Sequence, residues 1–291
     1  MTLETMNALC ADLGYPLLTD GPAATGRFPD GSRYRIEIPS CDGPDVMAAV
    51  LDEAGRRGVP VHRVSQGSGV MMLTDGEIDE MLTLGADHDV EVCLFLGPRG
   101  SWDIGGQAKV SAAVGGVARG NEMVAASLCD AFRAVELGVR SLLVGDLGVL
   151  EILGELKIDG SLPSDLVLKT SVLMPLANAP TARLYERFGA TSLNVSTDLP
   201  VPVLAEIRSV TSVPIDMYIE VPDDQGGHVR FYDVPEIVRV AAPVYLKMGL
   251  RNSPNIYPVG AHLAGTAEAL GRERVRRAEL ILRLLAEQDE A

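Results

Sequence analysis

The sequence predicts an α/β fold, a (β/α)8 TIM barrel of parallel strands carrying a short N-terminal extension. Three observations point there. Eight strand-like runs recur after Arg33, at residues 34–40, 59–66, 90–97, 141–148, 167–176, 192–198, 213–221 and 244–250. A helix-like segment follows each run. The chain is 47 % hydrophobic but only 4 % aromatic, which suits a core of Val, Leu, Ile and Ala. Parallel strands covered on both faces need that composition. A chain of 291 residues fits one barrel, so residues 34–291 are expected to form it and residues 1–33 to precede it.

The extension opens with an amphipathic segment at 2–13, with Thr2 placed to cap it. Phe28-Pro29-Asp30-Gly31-Ser32 then signals a turn. This segment is expected to cap the bottom of the barrel or to pack on a neighbouring subunit. Helix 45–57 stops at Gly58-Val59-Pro60. Helix 74–83 opens Thr-Asp-Gly-Glu, the capping-box spacing. Helix 121–137 ends at Gly138, helix 233–240 precedes the last strand, and a long charged helix spans about 266–287.

One connection stands apart. GPRGSWDIGGQAKVSAAVGGVARG links the third strand to the next helix. Long connections of this kind are usually lids or binding loops. This one leaves a strand at its C-terminal end, where barrel active sites lie. It carries Trp102, the single tryptophan, close to Arg99. It is expected to cover a substrate, the alternatives being a surface excursion or an arm that contacts another subunit.

The net charge of −15 argues against nucleic acid and anionic membranes as partners. There is no basic n-region followed by an apolar stretch, and no apolar run of about 18 residues. The expected location is the cytoplasm, and the expected partners are a small-molecule substrate and a second copy of the chain in a dimer. The cysteines, Cys10, Cys41, Cys93 and Cys129, form no CxxC or metal-finger spacing. They are expected to be reduced thiols, Cys41 and Cys93 being placed nearest the barrel mouth.

Alternation along the strands separates an inward set from a helix-facing set. The inward set is strongly polar: Arg35 and Glu37, Arg63 and Ser65, Glu91 and Cys93, Lys169 and Ser171, Asn194, Ser196 and Asp198, Asp216, Tyr218 and Glu220, Tyr245 and Lys247. Buried charge is costly unless paired or coordinated. Arg35, Glu91 and Asp216, near the strand starts, are expected to form a structural ion-pair layer. The catalytic candidates are Glu37, Asp146, Lys169, Glu220 and Lys247.

Three chemistries fit this set. Lys169 or Lys247 could form an imine with a carbonyl substrate. Glu37, Asp146 and Glu220 could bind a divalent metal. Lys and Glu could exchange protons with the substrate directly. Arg63, Arg99, Trp102, Asn194, Ser196, Tyr218, His228 and Arg251 are candidates for substrate binding, the arginines because a guanidinium grips a carboxylate bidentately. Ser68, in Gln66-Gly67-Ser68-Gly69, matches a nucleophile elbow only loosely.

The run SLNVSTDLPVPVLAEIRSVTSVPIDMYIEVPDD, followed by YLKMGLRNSPNIYPVGAHL, resembles the TIM-barrel domain of the U32 family peptidases. Glu220 matches the glutamate that opens the family signature. The signature continues into a Gly- and Cys-containing segment, and several members hold an iron–sulfur cluster on cysteines. Here Pro222–His228 stands in that place and no cysteine follows Cys129, so no iron–sulfur cluster is expected. From the inward residues, the reading is an enzyme acting on a small carboxylated metabolite by lyase, aldolase or isomerase chemistry through Lys/Glu acid–base groups, with metal assistance as an option. The resemblance implies the alternative of a peptide or amide hydrolase. A barrel retained as a binding subunit is the third alternative.

Overall fold

A computed structural model describes residues 2–100 and 115–289. Eight strands make the barrel: β1 (Tyr34–Pro39), β2 (Arg63–Ser65), β3 (Glu91–Phe95), β4 (Ser141–Val144), β5 (Val167–Thr170), β6 (Leu193–Asn194), β7 (Ile215–Glu220) and β8 (Val244–Met248). All pairings are parallel, in the order β5-β4-β3-β2-β1-β8-β7-β6. A parallel bridge between Lys169 and Ser192 brings β5 to β6, with the Thr170 amide 3.0 Å from the Ser192 carbonyl. The ring is thus nearly closed, and the (β/α)8 expectation holds.

The described helices are α1 (Leu3–Asp12), α2 (Pro44–Arg57), α3 (Asp75–His88), α4 (Gly120–Glu136), α5 (Leu147–Ile158), α6 (Ala179–Arg187), α7 (Val201–Val210), α8 (Val234–Ala241) and α9 (Ala264–Asp289). Their ends follow local chemistry. Thr2 caps α1 through the Thr5 amide. Pro44 occupies the first turn of α2, where a missing N–H costs nothing, and Gly58 closes it in the left-handed region. Thr74 and Glu77 satisfy each other's backbone amides at the start of α3.

The main core lies between strand wall and helices. Ile36, Ile38, Val64, Leu142, Leu168 and Leu246 are fully buried there, on the faces that alternate with the polar inward residues. At the α5–α6 contact the backbone comes very close. A Cβ on Gly154 would sit 2.4 Å from the Phe188 carbonyl oxygen. Gly154→Ala is therefore expected to cost about 1–3 kcal/mol in a urea titration, although alanine is the better helix former.

Every strand is shorter than its expected run, and β2, β5 and β6 lose more than half of theirs. Residues 171–174 turn instead of extending β5, because the Ser171 side chain accepts the Leu173 amide and its carbonyl accepts Met174. β6 keeps two residues. In the extension, α1 buries no residue, whereas Phe28 packs edge-on against Tyr245 with centroids 5.0 Å apart. The Arg35 guanidinium lies 4.5 Å over the same ring. Phe28 thereby packs onto the N-terminal end of the barrel. No described helix is long and apolar enough to cross a membrane.

Candidate functional site

Inside the barrel, strand alternation brings six charges together. Glu37 (β1), Lys169 (β5) and Asp216 (β7) are fully buried, and Arg63 (β2) and Lys247 (β8) nearly so. Glu91 (β3) completes a set of three cations and three carboxylates. Lys169 Nζ donates to Glu37 Oε2 and lies 3.2 Å from Asp216 Oδ1. Arg63 Nη1 donates to Asp216 Oδ1 at 2.7 Å, and its Nε lies 2.9 Å from Glu91 Oε1. Its guanidinium rests 3.6 Å from the Tyr245 ring centre. Ser65 donates to Glu37 at 2.7 Å, Ser192 to Asp216 at 2.5 Å and Ser141 to Glu91 at 2.6 Å.

Lys247 is held more loosely. Its Nζ lies 3.3 Å from Glu37 Oε1, 3.3 Å from Asn194 Oδ1 and 4.6 Å above the Tyr218 ring.

The carboxylates divide in their affinity for protons. Burial pushes the Glu37 carboxyl up, but Lys169, Lys247 and Arg63 overcome it and hold the group well below its ordinary value. Burial also opposes ionisation of Glu91, and Arg63 with the Ser141 hydroxyl prevails. Asp216 goes the other way: burial, joined by the charge of Glu37, raises it despite Lys169 and Arg63.

The depressed Glu37 contributes stability that is fully present above its unfolded value of 4.5 and is lost as pH falls through the lower folded value. Asp216 titrates against this trend. Glu37→Gln is expected to cost about 3–5 kcal/mol near neutrality by leaving buried cations uncompensated. The gap to wild type should shrink as pH falls below 4.5, measured by urea midpoints across the acid range. A gap independent of pH would contradict the assignment.

Above the charges, the C-terminal ends of the strands form three adjoining hollows. The smallest, about 80 Å³, sits over Lys247 and is lined also by Ser65, Gln66, Ser171 and Tyr218. Lys169 does not reach it. The widest, about 750 Å³, opens outward between Arg99, Ser196, Asp224, His228 and Tyr257. Arg99, Asp224, Gln225 and Tyr257 line both. The third, about 240 Å³, lies on the other side of Tyr218 and Tyr257 and includes Arg274.

The remaining candidates fall in different places. Arg99 donates to the Gly67 carbonyl and stacks between the rings of Phe95 and Tyr257, at 4.1 and 5.2 Å. Asn194 holds Lys247, and Tyr218 lies under it. His228 lines the wide hollow, its Nε2 3.0 Å from the Thr197 carbonyl oxygen. Arg63 belongs to the ion-pair layer below the mouth. Arg251 is exposed, its Nε 3.6 Å from Asp223. Trp102 lies outside the described residues, as does most of the expected covering loop.

Glu37, Asp146 and Glu220 do not converge. Asp146 caps α5 through the Val149 amide and accepts the Ala118 amide on its other oxygen, both at 3.0 Å. Glu220 leaves the inward face because the β7–β8 register slips between Tyr218 and Glu220. It accepts the Arg251 amide at 3.0 Å and faces Arg277 of α9 at 3.7 Å. Among the described residues no three His, Cys, Asp or Glu side chains are gathered to hold a metal. The cysteines do not fit a cluster either: Cys41 and Cys93 are buried, and Cys10 and Cys129 are exposed on separate helices. Burial pushes the Cys41 thiol up to about 12 and that of Cys93 to about 11, so neither is poised as a nucleophile. Ser68 is engaged as well, its hydroxyl accepting the Val259 amide at 2.9 Å.

Sequence reasoning missed Arg274, Tyr257, Gln66 and Asp224. Tyr257 shares a hydrogen bond with Ser40 and walls all three hollows. A Cβ on Gly67 would meet the Tyr257 ring at 2.5 Å, so that glycine makes room for it.

No curated protein sequence matches the chain. Among solved structures it is similar to the U32 peptidase Mk0906, at 16 % identity and a TM-score of 0.43, covering 67 % of this chain and 72 % of that one. It is also similar to thiamine phosphate pyrophosphorylase of Pyrococcus furiosus, at 12 % identity and a TM-score of 0.43, covering 84 % and 96 %. Pyruvate carboxylase of Rhizobium etli gives 11 % identity and a TM-score of 0.47, covering 95 % of this chain and 30 % of that one. At these values the likeness is one of general shape. The model of peptidase family U32 matches residues 107–221, overlapping the resembling run only from Ser192 to Val221 and leaving the β8 segment outside. Over those residues, which run to the end of β7, the chain is similar to the U32 peptidases.

Proposed function

We propose that the protein is an enzyme acting on a small carboxylated carbonyl compound at the C-terminal mouth of the barrel, with Lys247 as the reacting amine. The observation that carries this reading is the contrast between the two lysines. Lys169 is locked to Glu37 and Asp216 beneath the mouth, whereas Lys247 forms the floor of a hollow. An amine so placed can attack a substrate carbonyl to form an imine, or pass a proton to and from an adjacent carbon. Glu37 and Asn194 orient it, and Lys169 with Arg63 neutralise the rest of the buried carboxylate charge. The reaction class is lyase, aldolase or isomerase.

The test is borohydride reduction in the presence of pyruvate, glyoxylate or 2-oxoglutarate, followed by peptide mass mapping. A reduced adduct on the peptide bearing Lys247 is the expected result. An adduct confined to the other lysines would remove the imine chemistry.

The U32 match favours a second reading, hydrolysis of peptide or amide bonds. Cleavage of a peptide library that disappears in Lys247→Met would support that reaction at the same mouth.

On either reading Glu220→Gln should leave substrate affinity within about twofold, because its carboxylate faces α9. A loss of binding in calorimetry would contradict that placement.

A further inference from the structure

Arg274, on α9, is 4 % exposed and makes no ion pair or hydrogen bond among the described residues. Its Nε and Nη1 are both buried without a partner. An isolated buried guanidinium is among the costliest groups a fold can carry, since it loses hydration and gains nothing in return. The other deeply buried cations here are all compensated: Arg63 by Glu91 and Asp216, Lys169 and Lys247 by Glu37.

Arg274 lines the 240 Å³ hollow, together with Ser40, Tyr218, Asn255 and Tyr257. Its positive charge is felt at Tyr218 and Tyr257, which separate this hollow from the one over Lys247. Two carboxylates also line the space. Asp223 is occupied by the Asn252 amide and Arg251, and burial raises the proton affinity of Asp224. Neither forms an ion pair with Arg274.

We propose that Arg274 is the anchor of an anion subsite, which takes an oxyanion group of the substrate, a carboxylate or a phosphate, beside the Lys247 mouth. A planar guanidinium pairs with either oxyanion through two parallel hydrogen bonds. The hydroxyls of Ser40 and Tyr257 and the Asn255 amide supply further polar contacts around it. This inference rests on the mouth being the substrate site, and it adds the substrate's anionic end.

The experiment is thermal unfolding of the full chain in anion-poor buffer, titrated with inorganic phosphate and, separately, with malonate. Wild type should gain stability with at least one of them, in a saturable way. Arg274→Met should lose the response and melt higher than wild type without anion, because it removes an uncompensated buried charge. A response to phosphate alone assigns a phosphoryl group, and one to malonate alone assigns a carboxylate. An unresponsive wild type, or an equal response in Arg274→Met, overturns the proposal. Should Arg274→Met fail to fold, Arg274→Lys must raise the half-saturating anion concentration about tenfold, and an unchanged value overturns it. Lys247→Met should keep whichever anion response wild type shows, so the subsite and the Lys247 reading can fail separately.

Discussion

Lys169→Met is expected to lower stability by about 3–5 kcal/mol in a urea titration, as much as Glu37→Gln. The side chain is fully buried, and its ammonium bridges Glu37 and Asp216. Methionine fills similar space but leaves two buried carboxylates facing Arg63 and Lys247 alone. Asp216 already resists ionisation, and losing Lys169 would raise its affinity for a proton further. The double variant Lys169→Met with Glu37→Gln should recover part of the loss, since it removes a stranded charge together with its partner. A single variant within about 1 kcal/mol of wild type would show that the network is not structural.

Lys247→Met should behave in the opposite manner. Its contacts are 3.3 Å or longer and it borders a hollow, so the cost to the fold should be about 1 kcal/mol. The reaction should fall by about 10²–10⁴-fold, and the borohydride adduct should vanish. Two lysines on one inward face thus separate by experiment into a positioning and stabilising residue and a reacting one. A Lys247 variant that unfolds while Lys169→Met stays folded would reverse these roles.

The barrel was legible because its signals are local and repeated. Apolar runs, helix caps at Thr2 and Thr74 and the stop at Gly58 all act over a few residues. The inward charges were legible because strand alternation has a strict period of two. That same rule misplaced Glu220. A register slip after Tyr218 turns the strand, and nothing in Ile215–Glu220 marks it. Asp146 was misread for a different reason. It follows a strand and precedes a helix, and its side chain serves the helix as a cap. Period and spacing say nothing of residues that arrive from distant elements. Arg274 reaches the mouth from the last helix, and Tyr257 from the loop after β8. In sequence Arg274 stands among the arginines of a charged helix, and its burial becomes visible only once α9 packs against α2 and the barrel.

The most direct measurement is a binding titration of small 2-oxo acids, pyruvate, glyoxylate and 2-oxoglutarate, against wild type and Lys247→Met, read by calorimetry. The account predicts saturable binding of at least one compound to wild type, weakened about tenfold or more in the variant. Equal affinity in the two proteins, or no binding across the series, would contradict the assignment of the barrel mouth over Lys247 as the substrate site.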